Sequence, residues 1–266
     1  MTAQVVADAP ASFRNSIKVI ASTADDCSQA ADEYTIQHRI EGNNVVDLYY
    51  GNSGAKTTTL SFWVKSSLTG VFPVGLENNA ANRTHVKQYT IAQANTWEKK
   101  SITFVGDEAG TWLITNGTGL VVNFVLGAGS NYTGTIDSWQ GARVYRGSSS
   151  VQMMATEDST WFVTGIQLEV GSTATDFESR SFGEELALCQ RYYEKSYDYD
   201  VAVGATTYVG MQVAGGDAAR TAGTSYISGN NVVFTVRKRD NPTIVGYDQA
   251  GNAGKSQRWQ LGSHNT

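Results

Sequence analysis

Apolar and polar residues alternate through the first two thirds of the chain. Leu60, Phe62 and Val64 alternate with Ser61, Trp63 and Lys65, and Tyr34, Ile36, His38 and Ile40 alternate with Thr35, Gln37, Arg39 and Glu41. Leu120, Val122, Phe124 and Leu126 make a third continuous apolar face. A period of two is that of a strand with one face buried, and it places Trp63 opposite the aliphatic side of its strand. The same signal predicts strands over 16–21, 71–77, 85–91, 98–105, 142–146 and 161–170. Gly42-Asn43-Asn44 has turn chemistry and predicts a hairpin into a further strand over 45–50. Residues 1–14 are small and polar around Pro10 and read as a lead-in that orders only against something else. About ten short strands, roughly 8–12 residues apart, predict an all-β sandwich or jelly roll.

The period changes after Gly171-Ser172. Phe182, Leu186, Cys189 and Tyr193 fall at steps of four, three and four, one stripe of a helix. Ser181 and Glu184 have the spacing of a capping box, Glu185 lies in the first turn, and Arg191 and Lys195 lie near the end, the charge order that a helix dipole favours. Beyond the helix, tyrosines crowd 192–208, and short strands are expected at 201–213, 225–227, 232–237 and 243–247, with a turn at Ser228-Gly229-Asn230-Asn231. The expected organisation is a sandwich over 1–178, a helical connector over 179–196 and a small β domain over 197–266. That last portion, about 70 residues, is close to the size below which a β unit needs help to stay folded, so it calls for a partner.

Composition agrees with β structure: 27 Gly, 13 Tyr and 6 Trp in 266 residues, with 17% charged. A formal net charge of −5 argues against nucleic acid, whose phosphates require clustered Lys and Arg. The one basic run, Arg237-Lys238-Arg239, meets Asp240 at once and reads as a solvated strand end. Cys27 and Cys189 make no disulfide framework and are expected as free thiols. No stretch approaches the ~20 apolar residues of a membrane span, and the N-terminus lacks the basic and apolar blocks of a signal peptide. Synthesis in a cytoplasm without export, and no membrane insertion, are the expectations.

The run from Gly165 to Tyr193, GIQLEVGSTATDFESRSFGEELALCQRYY, resembles the junction in many tail-fibre and other virion structural proteins of tailed bacteriophages. In that family a jelly-roll module with carbohydrate-binding-module character ends in such a strand. IQHRIEGNNV from Ile36, TLSFWVKSS from Thr59, NTWEKKSITF from Asn95 and GTWL from Gly110 follow the same family order. The resemblance spans about residues 12–195 as one domain of ordinary size. It implies a jelly roll in which the strand at 161–170 returns near the first. It also implies a virion location, other virion proteins and host glycan as partners, and assembly as a homotrimer. Phe182, Leu186, Cys189 and Tyr193 would then pack either on their own chain or around a three-fold axis. Jelly rolls of this kind often hold a structural calcium, for which Asp25, Asp26 and Asp107 are the available carboxylates; no EF-hand spacing is present.

No catalytic constellation emerges. His38, His85 and His264 are far apart in sequence, and no HExxH, GxSxG or phosphate loop occurs. His38, in phase with Ile36 and Ile40, reads as a core or sheet-edge histidine. Asp25-Asp26, Asp107-Glu108 and Glu157-Asp158 are adjacent acids that solvent normally claims, whereas a glycosidase needs two carboxylates facing one cleft. The better candidates are aromatic, because a sugar offers an apolar C–H face ringed by hydroxyls. Trp63, Trp112 and Trp139 fit that chemistry, although a corner of the sandwich core is the commoner role for each one taken singly. The leading expectation is a non-enzymatic tail-fibre or receptor-binding appendage. A head fibre or capsid-decoration protein, a bacterial carbohydrate-binding module and a glycan depolymerase are the alternatives, the last without the long β-helical repeat it usually shows.

Overall fold

Trp161 has no exposed surface, and its indole N–H donates to the Tyr89 hydroxyl at 3.1 Å, joining two sheets through the centre of a sandwich. The computed structural model describes residues 1–211 and 233–255. It divides into two units, Met1–Glu178 and Ser179–Thr266.

The first unit is a jelly-roll β-sandwich of two antiparallel five-stranded sheets. The strands are β1 (Thr2–Val6), β2 (Ser16–Ile20), β3 (Glu33–Glu41), β4 (Thr58–Ser66), β5 (Gly70–Asn78), β6 (Thr84–Ile91), β7 (Glu98–Phe104), β8 (Thr118–Ala128), β9 (Trp139–Gln140) and β10 (Thr160–Val170). One sheet runs β1-β2-β10-β4-β7 and the other β3-β8-β5-β6-β9. The late strand does return beside an early one: Trp161 pairs with Val19 of β2 and with Ser66 of β4.

The alternating residues fill the space between the sheets. Leu60, Phe62 and Val64 from β4, Phe72, Val74 and Leu76 from β5, and Leu120, Val122, Phe124 and Leu126 from β8 are all at most 1% exposed. Full burial of one such side chain contributes about 1.5–3 kcal/mol, so these strands rather than the loops carry the stability. Phe62 meets Tyr89 and Phe124 edge to face at 5.1 and 5.0 Å. Trp63, out of phase, is half-buried on the other side of β4, opposite Lys99 and Thr164.

Two expectations for this unit fail, at 45–50 and 142–146, and one segment holds a strand that the sequence did not mark. Residues 1–14 find what they order against in β2, where Thr2–Val6 pairs along the whole strand, from Thr2↔Ile20 to Val6↔Ser16. Asp8 then pairs with the nearly buried Lys65 and accepts from the Trp97 indole N–H at 3.1 Å. Residues 45–50 are not a strand: they hold one short 3-10 turn, Val46–Leu48, which follows another at Gly42–Asn44 and is closed by Tyr49 in the left-handed region at φ 59° and ψ 27°. Residues 142–146 find no free strand edge. They lie over the outer face of the second sheet, where Val144 N–H donates to Thr84 Oγ1 at 3.2 Å and Tyr145 N–H to the Tyr132 carbonyl at 2.8 Å.

The second unit begins with α1, Phe182–Gln190, and the capping box is present: Glu184 N–H donates to Ser181 Oγ at 3.4 Å and Ser181 N–H to Glu184 Oε2 at 2.9 Å. The Ser181 N–H and the Ser181 hydroxyl, which donates to the same oxygen at 2.8 Å, hold the Glu184 carboxyl below its usual range. Phe182 and Tyr193 are 74% and 62% exposed, Cys189 is exposed and Leu186 half-buried. Strands do not form in 201–211, 233–237 or 243–247; among these residues a single bridge pairs Tyr247 with Ala253. Gly204 and Gly210, at φ 77° and 79°, turn the chain where an extended run was expected. Lys238 is not solvated: it pairs with Glu194 and reaches the Gln190 carbonyl, with its side chain 8% exposed. The strand at 225–227, the Ser228–Asn231 turn and His264 lie outside the described residues. Both cysteines are free thiols, Cys27 buried and Cys189 exposed. Among the described residues no helix is long and apolar enough to cross a membrane.

Candidate functional site

Two loops at one end of the sandwich, 42–52 and 105–117, run against each other. Gly42 N–H donates to the Gly117 carbonyl at 2.8 Å, and Asn43 N–H to the Thr115 carbonyl at 2.9 Å. A Cβ on Gly42 would stand 2.4 Å from the Leu113 carbonyl oxygen, so only glycine permits this approach. Gly51, at φ 83°, is needed twice over: for its backbone angle, and because a Cβ there would meet the Gly110 carbonyl at 2.8 Å and the Trp112 ring at 3.1 Å. Its N–H donates to the Asp107 carbonyl at 2.7 Å. The Asp107 side chain, 2% exposed, binds Arg83 through both oxygens and so ties the second loop to the start of β6. That hydrogen bonding holds the Arg83 guanidinium above even its usual range.

On this frame sits a cluster of rings. Tyr50, buried, meets Trp112 edge to face at 4.9 Å and Trp139 at 5.8 Å, and the two indoles meet each other at 5.4 Å. Their polar tips are spent internally: Trp112 Nε1 donates to the Ala109 carbonyl at 3.2 Å, Trp139 Nε1 to the Val105 carbonyl at 2.8 Å, and the Tyr50 hydroxyl pairs with Thr58 Oγ1 at 3.1 Å. Burial pushes the Tyr50 phenol up to about 12. Behind Trp139 lies His85, completely buried, 5.2 Å from both Trp139 and Phe104, with neither ring nitrogen partnered.

Beside Trp112 is a cavity of about 130 Å³. Val46, Tyr49 and Ile114, at 49%, 54% and 54% exposure, form its open walls, while Leu48 and Leu120, both buried, close its base. Asn52 is the one lining residue with an amide, and no lining residue carries a charge. An open, mostly apolar hollow with an aromatic wall can take a ligand's apolar portion and offers little to a phosphate or an ion.

The structure therefore brings Trp112 and Trp139 together and leaves Trp63 apart, on a strand of the other sheet. Tyr49, Val46, Ile114 and Asn52 belong to the site although the alternation did not mark them. For Tyr49 and Asn52 the signal was the Tyr-Tyr-Gly-Asn run from Tyr49, a turn composition overlapping the end of the strand expected over 45–50. The outer face of the second sheet, another natural platform, is occupied by the chain's own segment 129–152. Beneath it Glu77 and Asn123, 2% and 1% exposed, are linked at 2.8 Å, and Arg143 bridges Glu77 and Glu33. Asp107 is not a solvated acid and is committed to Arg83; Asp25 accepts from the Tyr34 hydroxyl at 2.6 Å and from Cys27 N–H at 2.8 Å. Among the described residues no group of three or more His, Cys, Asp or Glu is placed to hold a metal.

No protein-family profile and no curated protein sequence matches the chain. Among solved structures it is similar to the arabinose-bound MgGH51 α-L-arabinofuranosidase, at 11% identity over 65% of this chain and 22% of that one, with a TM-score of 0.38. It is similar to the enzymatically active domain of tailspike protein 4 of bacteriophage CBA120, at 10% identity over 64% and 18%, with a TM-score of 0.34. A third is the N-terminal cellulose-binding domain of β-1,4-glucanase C from Cellulomonas fimi, at 12% identity over 60% and 80%, with a TM-score of 0.33. The chain spans about a fifth of the length of the first two.

Proposed function

We propose that this chain is a non-catalytic structural component of a tailed-bacteriophage virion, a tail-fibre or receptor-binding appendage whose sandwich binds host-surface glycan at the aromatic end. The observation that carries the binding role is the hollow between Tyr49 and Trp112, whose rings flank apolar walls on a rigidly tied pair of loops. Such a surface matches the C–H face of a sugar ring. The virion role draws its support from the resemblance of 165–193 and the ordered runs upstream of it. A non-enzymatic role is supported by where the acids lie: Glu33 and Glu77 converge, but on Arg143 and under segment 129–152 rather than in an open cleft. Assembly as a homotrimer through Phe182, Leu186, Cys189 and Tyr193 is supported by how little of that stripe is covered.

The test is a glycan array with a host-cell pull-down, using the full chain and its Tyr49→Gly and Trp112→Ala variants. Saturable binding that both variants lose while remaining folded is the expected result. Binding to purified capsids alone would replace this reading with capsid decoration, and release of reducing sugar from host polysaccharide would replace it with an enzyme.

A further inference from the structure

The side chains lining the hollow have very few free hydrogen-bonding valences. Six of the ten lining residues are aliphatic and three are aromatic; the tenth is Asn52. Trp112 N–H and the Tyr50 hydroxyl are already engaged, as shown above. The Asn52 amide nitrogen is spent on the carbonyls of Tyr49 at 3.5 Å and Tyr50 at 3.3 Å. What remains is one acceptor, Asn52 Oδ1, and one hydroxyl, that of the exposed Tyr49.

A sugar edge bearing hydroxyls fits this inventory poorly, since each hydroxyl brings a donor and two acceptors that are costly to desolvate without partners. An acetamido group fits it closely: one N–H donor for Asn52 Oδ1, one carbonyl acceptor for the Tyr49 hydroxyl, and a methyl for the aliphatic base. Size points the same way. The cavity, about 130 Å³, is well below the ~300–1,000 Å³ of pockets that enclose a whole small molecule, so it suits a substituent rather than a ring.

We infer that the hollow beside Trp112 receives the N-acetyl group of an N-acetylhexosamine, with the pyranose face lying against the aromatic wall. This inference rests on the glycan-binding reading and narrows it to one chemical class.

The test titrates the full chain with N-acetylglucosamine, N-acetylgalactosamine, glucosamine and glucose, following tryptophan emission, alongside the array. One or both N-acetyl sugars are expected to bind at least about tenfold more tightly than the unacetylated pair, a difference of ~1.4 kcal/mol. Val46→Asp, at an exposed wall position, should abolish that preference, and Asn52→Asp, which keeps an acceptor at Oδ1, should retain more of it than Asn52→Leu. Equal affinity for glucose and N-acetylglucosamine, or a preference untouched by Val46→Asp, overturns the inference. If the array shows Tyr49-dependent binding only to glycans lacking N-acetyl groups, the inference falls and the glycan-binding function stands. No saturable binding to any glycan removes both.

Discussion

Asp107 grips Arg83 with both carboxylate oxygens, Nε to Oδ2 at 2.7 Å and Nη2 to Oδ1 at 2.5 Å, and the loop bearing Trp112 hangs on that grip. Asp107 is buried while the Arg83 side chain is 18% exposed, so removing the acid leaves a cation that solvent reaches in part. Asp107→Ala is expected to cost about 1–3 kcal/mol in urea denaturation, the loss of a charged hydrogen-bonded pair. Arg83→Met with Asp107→Leu, which removes both charges, should recover much of that loss.

Tyr49 separates function from stability. A non-glycine residue in the left-handed region is disfavoured by roughly 1–2 kcal/mol, a strain that glycine relieves at the expense of added freedom in the unfolded chain. Tyr49→Gly should therefore leave the unfolding midpoint unchanged or raised. Glycan binding should fall by about tenfold or more with the lost ring.

His85 makes stability depend on pH. Burial, with Lys87 as a lesser cause, depresses its pKa to about 4. Above about pH 6.5 the histidine is neutral in both states. Between there and about pH 4 the unfolded chain takes up a proton that the folded chain refuses, so stability declines across that window by roughly 3 kcal/mol. His85→Leu removes two unpartnered buried nitrogens. Thermal melts at several pH values should show the variant flatter than the parent between pH 6.5 and 4.5, and no less stable at neutral pH.

Asp8 pins the N-terminal segment. It pairs with Lys65, whose ammonium also lies 5.1 Å from the Trp97 ring and 4.4 Å from the Phe162 ring. Because the Asp8 side chain is 47% exposed, solvent screens the pair and Asp8→Asn should cost only about 1 kcal/mol globally. Locally the effect should be larger: amide exchange over Thr2–Val6 should quicken while the amides of β4 and β8 keep their protection.

Sedimentation tests the helix stripe. The full chain is expected to run as a trimer, and Phe182→Asp with Tyr193→Asp to shift it to a smaller species whose near-ultraviolet spectrum is unaltered in its sandwich signature. A parent chain that sediments as a monomer at micromolar concentration would discard the trimer.

The sandwich was legible because the core-facing residues of its strands recur at every second position. Leu60, Phe62, Val64, Leu120, Val122, Phe124 and Leu126 state their burial in their spacing, and the register follows once they face one core. The 45–50 segment was not legible, since its turn is fixed by contacts from Gly42 and Gly51 to a loop more than fifty residues away. β1 was hidden for a different reason: its exposed residues carry no pattern, and only pairing with β2 makes them a strand. Loop settings marked Trp112 and Trp139 as site candidates. Tyr49, which lines the hollow with Trp112, became visible only when its backbone turned in the left-handed region and left the residue exposed.

The frame of the hollow and its lining come from different residues. Gly42, Gly51 and the Arg83–Asp107 pair set where the two loops run, whereas Val46, Tyr49 and Ile114 project from them into solvent. The three projecting side chains can therefore be exchanged with little consequence for the two loops that carry them. Under the proposed function, that is the arrangement in which a change of glycan preference leaves the interior alone.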